Sequence, residues 1–219
     1  MSQIAPIAWS GQEWTWLLAS YALGCFTAGY YWTRWRTGRD IRGLGSGNVG
    51  ARNVGRTLGT QGFLVTFLLD FAKGMAAVTV ANTLRFTPEA TIACLFAVVA
   101  GHNWPMQLGF RGGKGISVSL GGLLAYEPFT ILALVLVFLP ALAVLRRFTL
   151  AGLAAFCLAP LLLFLGGLEK EVVAAVSGLA VLALLTHRRN LREELARLIG
   201  HPAVKDSPAE VHKGPTDEV

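Results

Sequence analysis

The stretch from Phe129 to Leu145 is FTILALVLVFLPALAVL, which contains no charged side chain. A helix needs about 20 predominantly apolar residues to cross the roughly 30 Å of hydrocarbon in a bilayer. Comparable apolar stretches occur on both sides of this one along the chain. We therefore expect an integral membrane protein, and one made of helices, because a helix satisfies its own backbone hydrogen bonds within the bilayer.

The composition of the chain supports this class. It has 219 residues, of which 53% are hydrophobic and 15% charged, whereas soluble domains carry about a quarter charged residues. The apolar content also argues against a disordered chain. The net charge of +6 does not indicate nucleic-acid binding, because the cations lie between apolar stretches and not on one soluble face. The cysteines lie within apolar stretches and are expected to be small buried side chains: Cys25, Cys94 and Cys157.

Seven apolar segments predict an all-α membrane protein of about seven transmembrane helices, some of them short or broken. The segments are Trp14–Trp32, Phe63–Leu84, Ala90–Ala100, Ile116–Tyr126, Phe129–Leu145, Leu150–Leu165 and Val172–Thr186. Two of them, Ala90–Ala100 and Ile116–Tyr126, are too short for a straightforward crossing. We predict a single membrane-embedded domain over residues 1–199. Residues 200–219 are polar and rich in proline, and they are expected to form a mobile cytoplasmic tail.

The positive charges predict the orientation of these helices. If all seven segments cross and the N-terminus lies outside, the outer loops hold only Arg85 and Lys170. Apart from Lys73, which lies within a segment, the other cations are in the inner loops and after the last segment. This asymmetry is the one that the positive-inside rule describes. We therefore predict an outside N-terminus and a cytoplasmic C-terminus. Because the first cation is Arg34, no cleavable signal peptide is expected.

The first inner loop is rich in glycine. Residues 43–59 are GLGSGNVGARNVGRTLG, with a G-x-G-x-x-G pattern at Gly45, Gly47 and Gly50. No strand precedes the pattern, so its context excludes a dinucleotide-binding fold. Glycines nevertheless allow backbone N–H groups to turn toward an anion, and Ser46, Arg52 and Arg56 add donors for a phosphate group. The alternative is a plain turn between two membrane helices.

The second inner loop repeats this combination of glycine and cation. Residues 101–115 are GHNWPMQLGFRGGKG, in which Arg111 and Lys114 flank Gly112 and Gly113. Such a loop can hold an anion. His102 is a candidate proton carrier, or alternatively an interfacial histidine without a role in chemistry.

Other polar residues lie inside or at the end of predicted spans. Asp70 and Lys73 are three residues apart and so share one helix face. Because charges within a span are costly, we favour a mutual ion pair over direct chemistry. His187 and Asn190 end the last segment with the same spacing, and they are predicted to face the same way.

Taken in order, these motifs resemble those of the PlsY-type bacterial acyl-phosphate:glycerol-3-phosphate acyltransferases. The matching motifs are residues 46–59, Leu69-Asp70…Lys73-Gly74, residues 101–115 and His187-Arg188…Asn190. The resemblance implies a multi-pass enzyme of the bacterial cell (inner) membrane, with an active site that faces the cytoplasm. It implies transfer of a fatty acyl group from acyl phosphate to the sn-1 hydroxyl of glycerol 3-phosphate, which yields lysophosphatidate and inorganic phosphate for phospholipid synthesis.

The resemblance also implies functional residues. The implied catalytic residues are Ser46, Arg56, Lys114 and Asn190. The implied substrate- or phosphate-binding residues are Gly45, Gly47, Asn48, Asn53, His102, Arg111, Gly112, Gly113 and His187. The expected partners are acyl phosphate, glycerol 3-phosphate and membrane lipid, with no cofactor, metal or nucleic acid, and the sequence does not indicate an oligomeric state.

The chain departs from the family pattern at a few positions. Arg52 stands where threonine is common, Ile116-Ser117-Val118 replaces Val-Ala-Thr, and Gly152 stands where a serine is expected. The stretch from Asn190 to Gly200 is longer than usual, and the Gly-x-Glu that ends the family motif is missing. These departures leave open a catalytically silent or repurposed paralogue that binds lipid or acyl phosphate.

Two other functions remain open from the residues alone. A small transporter would suit Asp70 and Lys73 within a span, although no internal repeat is present. The His-x4-Asp signature of the thioester-dependent glycerolipid acyltransferases is found at His201 and Asp206, in the predicted tail.

Overall fold

The computed structural model describes residues 9–198, and this part of the chain is helical with no β-strand. The predicted all-α class is thus confirmed, whereas the predicted tail, residues 200–219, lies outside the described residues. The α-helices of the described part are α1 (Gly11–Cys25), α2 (Ala28–Thr37), α3 (Ala51–Thr83), α4 (Pro88–Asn103), α5 (Ile116–Tyr126), α6 (Phe129–Leu145), α7 (Phe148–Leu165) and α8 (Lys170–Leu198). Single 3₁₀ turns lie at Ile41–Gly43 and Met106–Leu108.

The first predicted segment, Trp14–Trp32, is two helices and not one. The backbone is extended at Phe26 and Thr27, which separates α1 from α2. The break leaves carbonyl groups without helical partners, and side chains from elsewhere take their place. Lys73 Nζ donates to the carbonyls of Gly24 (3.0 Å) and Phe26 (2.6 Å). Gln107 Nε2 donates to the carbonyl of Cys25 at 2.5 Å, so the carbonyls of three consecutive residues at the break have side-chain donors.

Helix α3 begins twelve residues before the predicted Phe63–Leu84 segment, at Ala51. Its course is broken at Gly59, where φ is 75° and ψ is −170°. This backbone conformation is accessible almost only to glycine. The break separates a short N-terminal part, residues 51–58, which carries Arg52 and Arg56, from the long apolar part that follows.

Glycines allow the helices to approach closely. A Cβ atom at Gly74 of α3 would lie 2.0 Å from the carbonyl oxygen of Val118 in α5. In the same way, a Cβ atom at Gly121 of α5 would lie 1.9 Å from the carbonyl oxygen of Phe71. Helices α1 and α4 pack in the same way, because a glycine of each helix lies against a backbone carbonyl of the other. Small residues at such contacts are typical of helix packing in membranes, where close van der Waals contact drives association.

The outer surface of the bundle is apolar. Three helices of the described part are long and apolar enough to cross a membrane, namely α3, α7 and the Lys170–Arg192 part of α8, and α5 and α6 are shorter apolar helices. Large apolar side chains are exposed along these helices, among them Leu68, Leu136, Phe164 and Leu185. In a membrane, lipid tails would cover these side chains. In water, they would form an exposed apolar surface larger than soluble proteins usually have.

Candidate active site

The two glycine loops, together with parts of α3, α4, α5, α7 and α8, line a cavity of about 340 Å³. All the candidate catalytic residues line it, and so do several of the candidate binding residues. The first set is Ser46, Arg56, Lys114 and Asn190, and the second is Asn48, Asn53, His102 and His187. The remaining candidates are not among the lining residues: Gly45, Gly47, Arg111, Gly112 and Gly113.

Asn53 shapes the first glycine loop from within. Its side chain is buried, its Oδ1 accepts from the N–H of Ser46 at 2.8 Å, and its Nδ2 donates to the carbonyls of Leu44 and Asn48, both at 2.9 Å. Gly45 has a φ of 56°, and a Cβ atom there would lie 2.3 Å from Asn53 Oδ1. The amide of Asn53 is therefore committed to the loop, where it holds the backbone of Ser46 at the cavity.

An ion pair that sequence reasoning missed lies just before the first glycine loop, and its arginine contacts the second glycine loop. Arg42 Nη2 lies 2.7 Å from Asp40 Oδ2, and Arg42 Nη1 donates to the carbonyl of Leu108 at 2.8 Å. The hydrogen bonds from Arg42 lower the pKa of Asp40 below its usual value. The spacing of Asp40 and Arg42 could have indicated this ion pair. In the sequence, however, Arg42 is one of many cations of the inner loops, and nothing distinguishes it from the others.

The second glycine loop is packed on the end of α4. The N–H of Gly112 donates to the carbonyl of Asn103 (3.1 Å), and the N–H of Gly113 donates to the carbonyl of His102 (2.9 Å). A Cβ atom at Gly113 would lie 1.9 Å from His102 Nε2. This differs from the predicted cradle, in which the N–H groups of these two glycines turn toward an anion. Here the glycines let the loop lie against His102, and this contact positions Lys114 at the cavity.

The predicted ion pair between Asp70 and Lys73 is confirmed, and it includes a third residue. Lys73 Nζ lies 3.0 Å from Asp70 Oδ1 and 2.9 Å from His102 Nδ1. All three side chains are buried. The same nitrogen of His102 lies 3.5 Å from Asp70 Oδ1, so the three polar side chains contact one another. Asp70 and His102 also line the cavity, so this buried charge cluster forms part of its wall.

The C-terminal part of α8 contributes His187 and Asn190. Both line the cavity, as their spacing predicted. His187 Nδ1 lies 2.8 Å from the carbonyl of Ala183, one turn earlier. A carbonyl only accepts, so Nδ1 carries the proton and the lone pair of the neutral ring is on Nε2.

Apolar side chains form the rest of the cavity wall. They come from α3, α5 and α7 and were not predicted as site residues: Phe63, Phe67, Ile116, Leu120, Phe148 and Leu153. Sequence reasoning missed them because, within apolar helices, nothing distinguishes a side chain that lines a cavity from one that faces lipid. The cavity thus has a polar part and an apolar part.

The charges of the cavity favour an anion. Its cationic side chains are Arg52, Arg56 and Lys114. Its carboxylates already have basic partners, since Asp70 pairs with Lys73 and Glu194 pairs with Arg147. Within residues 9–198, no three side chains of His, Cys, Asp or Glu are grouped so that they could hold a metal ion. The arrangement suits an amphiphilic ligand that carries phosphate.

Comparison with known proteins identifies the family. A family model described as glycerol-3-phosphate acyltransferase matches residues 14–197. The chain belongs to this family. Among curated members, glycerol-3-phosphate acyltransferase 1 of Desulfitobacterium hafniense (strain Y51) is 45% identical over 180 residues, covering 82% of this chain and 89% of that protein. The glycerol-3-phosphate acyltransferase of Agrobacterium fabrum is 40% identical over 179 residues, covering 82% of this chain and 86% of that protein.

Solved structures of the glycerol-3-phosphate acyltransferase family share the fold. The crystal structure of PlsY (YgiH), an integral membrane glycerol 3-phosphate acyltransferase, in its glycerol 3-phosphate form has a TM-score of 0.78 and 33% identity, covering 85% of this chain and 94% of that one. Its lysophosphatidic acid form has a TM-score of 0.76 and 32% identity, covering 85% of this chain and 93% of that one. The predicted family and the integral membrane fold are therefore confirmed.

Proposed function

We propose that this protein transfers a fatty acyl group from acyl phosphate to the sn-1 hydroxyl of glycerol 3-phosphate. The observation that carries the proposal is the convergence of Ser46, Arg56, Lys114 and Asn190 on one cavity with a polar and an apolar part. The polar part suits two phosphate groups, and the apolar part suits a fatty acyl chain. The related PlsY has been solved in forms with glycerol 3-phosphate and with lysophosphatidic acid, an acceptor and a product of this reaction.

The proposed step needs no covalent enzyme intermediate. The sn-1 hydroxyl oxygen attacks the acyl carbonyl carbon, the bond from that carbon to the phosphate oxygen breaks, and phosphate leaves with the electron pair. The hydroxyl proton passes to a phosphate oxygen of the substrate. Arg56 and Lys114 reduce the repulsion between the two phosphate groups and stabilise the charge that develops on the leaving group. Ser46 and Asn190 orient the reacting groups by hydrogen bonds, which lowers the entropic part of the barrier.

We further propose a topology of seven crossings, in a membrane domain that runs to residue 199. In this topology α1 and α3 to α8 cross the membrane, the N-terminus is outside, and α2 lies at the inner surface. The sequence of α2 supports this placement, because it carries Trp32 and Trp35 with the guanidinium group of Arg36 5.8 and 5.9 Å from their ring centroids, a combination typical of membrane interfaces. The cavity then faces the cytoplasm of a bacterial cell, on the inner membrane, where acyl phosphate and glycerol 3-phosphate would both be available.

The test measures phosphate release by the purified protein in detergent from palmitoyl phosphate, with and without glycerol 3-phosphate. We expect release to depend on the acceptor and lysophosphatidate to form in equal amount. The variants Arg56→Ala and Lys114→Ala should each lose about 100-fold or more of the rate. Arg39→Ala is the matched control, because Arg39 is an exposed cation that does not line the cavity. Binding of palmitoyl phosphate without turnover would contradict the proposal and would indicate a silent paralogue.

A further inference from the structure

Arg52 connects the two sides of the cavity. It is the second residue of α3, and its Nη1 donates a hydrogen bond to the hydroxyl of Thr149 in the first turn of α7. The centre of its guanidinium group lies 5.7 Å from the centroid of the Phe148 ring. Arg52, Phe148 and Thr149 all line the cavity. A hydrogen bond and a cation–π contact thus hold this guanidinium group at the start of α7.

The face of α7 that lies next to Arg52 of α3 has room for a ligand. Phe148, Thr149, Gly152 and Leu153 all line the cavity, and their spacing of three and four residues puts them on one side of the helix. A Cβ atom added at Gly152 would meet nothing within 4 Å. This side of α7 therefore offers a cation at one end and, one turn further along, an open space next to the apolar side chain of Leu153.

Arg52 also adds positive charge beside another arginine. Arg56 is four residues further along the same helix, so the two like charges repel each other, and the carboxylate of Glu194 offsets part of this repulsion. An anion between them would relieve this repulsion. A guanidinium group has five N–H donors, so the bond to Thr149 leaves donors for a phosphate group.

We propose that Arg52, held by Thr149, binds the phosphate group of the acyl phosphate and not that of glycerol 3-phosphate. This inference rests on the proposed function. It assigns the donor phosphate because Arg52 adjoins the apolar wall of Phe148 and Leu153, where a fatty chain attached to the bound phosphate can lie. Glycerol 3-phosphate has no apolar part, so its phosphate gains nothing from this position. Arg52 and Thr149 together then determine the affinity for the acyl donor.

The first test separates the Michaelis constants for the two substrates. Arg52→Gln should raise the KM for palmitoyl phosphate about tenfold or more, because a charge-assisted hydrogen bond is lost, and should leave the KM for glycerol 3-phosphate within about twofold. Arg52→Lys, which keeps the charge without the planar fork, should lie between wild type and Arg52→Gln. Thr149→Val, which keeps the cation but removes its anchor, should raise the same constant by about threefold. Arg39→Gln is the control for the loss of one exposed cation outside the cavity.

The second test does not depend on turnover. Binding is measured by titration calorimetry with the phosphonate analogue of palmitoyl phosphate in which CH₂ replaces the bridging oxygen. Arg52→Gln should weaken this binding by the same factor as it raises the KM. The inference is overturned if Arg52→Gln raises the KM for glycerol 3-phosphate instead, or if it changes neither constant. A third outcome separates the two proposals. If the wild-type protein binds the phosphonate and Arg52→Gln does not, but the wild type releases no phosphate with or without glycerol 3-phosphate, the proposed function fails and the assignment of Arg52 stands.

Discussion

Gly113 leaves no room for a side chain. A Cβ atom there would lie 1.9 Å from Nε2 of His102, and that ring cannot move away easily because its other nitrogen is held by Lys73 in a buried cluster. In Gly113→Ala the loop must shift, and Lys114 moves with it. A misplacement of about 1 Å at a catalytic group can cost on the order of 100-fold in rate. We expect a loss of that size in acceptor-dependent phosphate release.

The control for this substitution is Gly43→Ala in the first glycine loop. Its added methyl group would meet nothing within 4 Å, and its backbone is not in the left-handed region. This variant should keep wild-type activity within about twofold. Unfolding temperatures of both variants show whether the loss is local. Wild-type activity in Gly113→Ala would mean that the packing of the loop on His102 does not position Lys114.

Single residues were predictable where chemistry restricts their type. The resemblance to the PlsY-type family implies Ser46, Arg56, Lys114 and Asn190, and all four line the cavity, whereas their catalytic roles stay a prediction. The donation of the Gly112 and Gly113 N–H groups to α4 was not predictable, because it depends on a tertiary contact that no local pattern records.

The break between α1 and α2 depends on Lys73. Its ammonium group donates to two of the carbonyls at the break and compensates the buried carboxylate of Asp70. Removing one member of a buried ion pair leaves the other charge uncompensated, at a cost of about 3–5 kcal/mol. Lys73→Met should therefore lower the free energy of unfolding in detergent by about that amount, as measured by thermal or chemical unfolding.

A double substitution distinguishes the ion pair from the carbonyl bonds. Asp70→Asn combined with Lys73→Met removes the uncompensated charge, so it should recover part of the loss and leave the contribution of the carbonyl bonds. Lys170→Met is the matched control, because Lys170 is almost fully exposed. Equal destabilisation by Lys73→Met and Lys170→Met would rule out a structural role for the buried cluster.

Helix positions were predictable from apolar segments, but the breaks in them were not. No proline lies between Trp14 and Trp32, and the side chains that stabilise the break follow it by 47 to 82 residues in sequence. Gly59 is one of many glycines, and only the backbone shows that it has a conformation that other residues avoid. The sequence thus shows which segments are apolar, whereas the ends of the helices depend on distant partners.

The whole molecule has a cationic end and an end at which acidic side chains outnumber basic ones. The cavity is lined by the start of α7 and the C-terminal part of α8, so the turn between these helices lies at the opposite end. The 18 residues of α7 span about 27 Å, close to the thickness of the hydrocarbon layer. The α7–α8 turn is followed by Lys170, whereas exposed cations such as Arg39 and Arg111 lie in the loops on the cavity side.

This polarity predicts how the chain is oriented in the cell, and labelling of single cysteines can test it. In a Cys157→Ala background, Lys170→Cys should react with a membrane-impermeant maleimide on intact spheroplasts, because the positive-inside rule leaves the end that is poor in lysine and arginine outside. Arg39→Cys should react only after the membrane is opened. Labelling of both in lysed membranes controls for accessibility, and Cys25 and Cys94 are buried and should stay unlabelled. The reverse pattern would place the cavity outside the cell, away from any cytoplasmic supply of acyl phosphate.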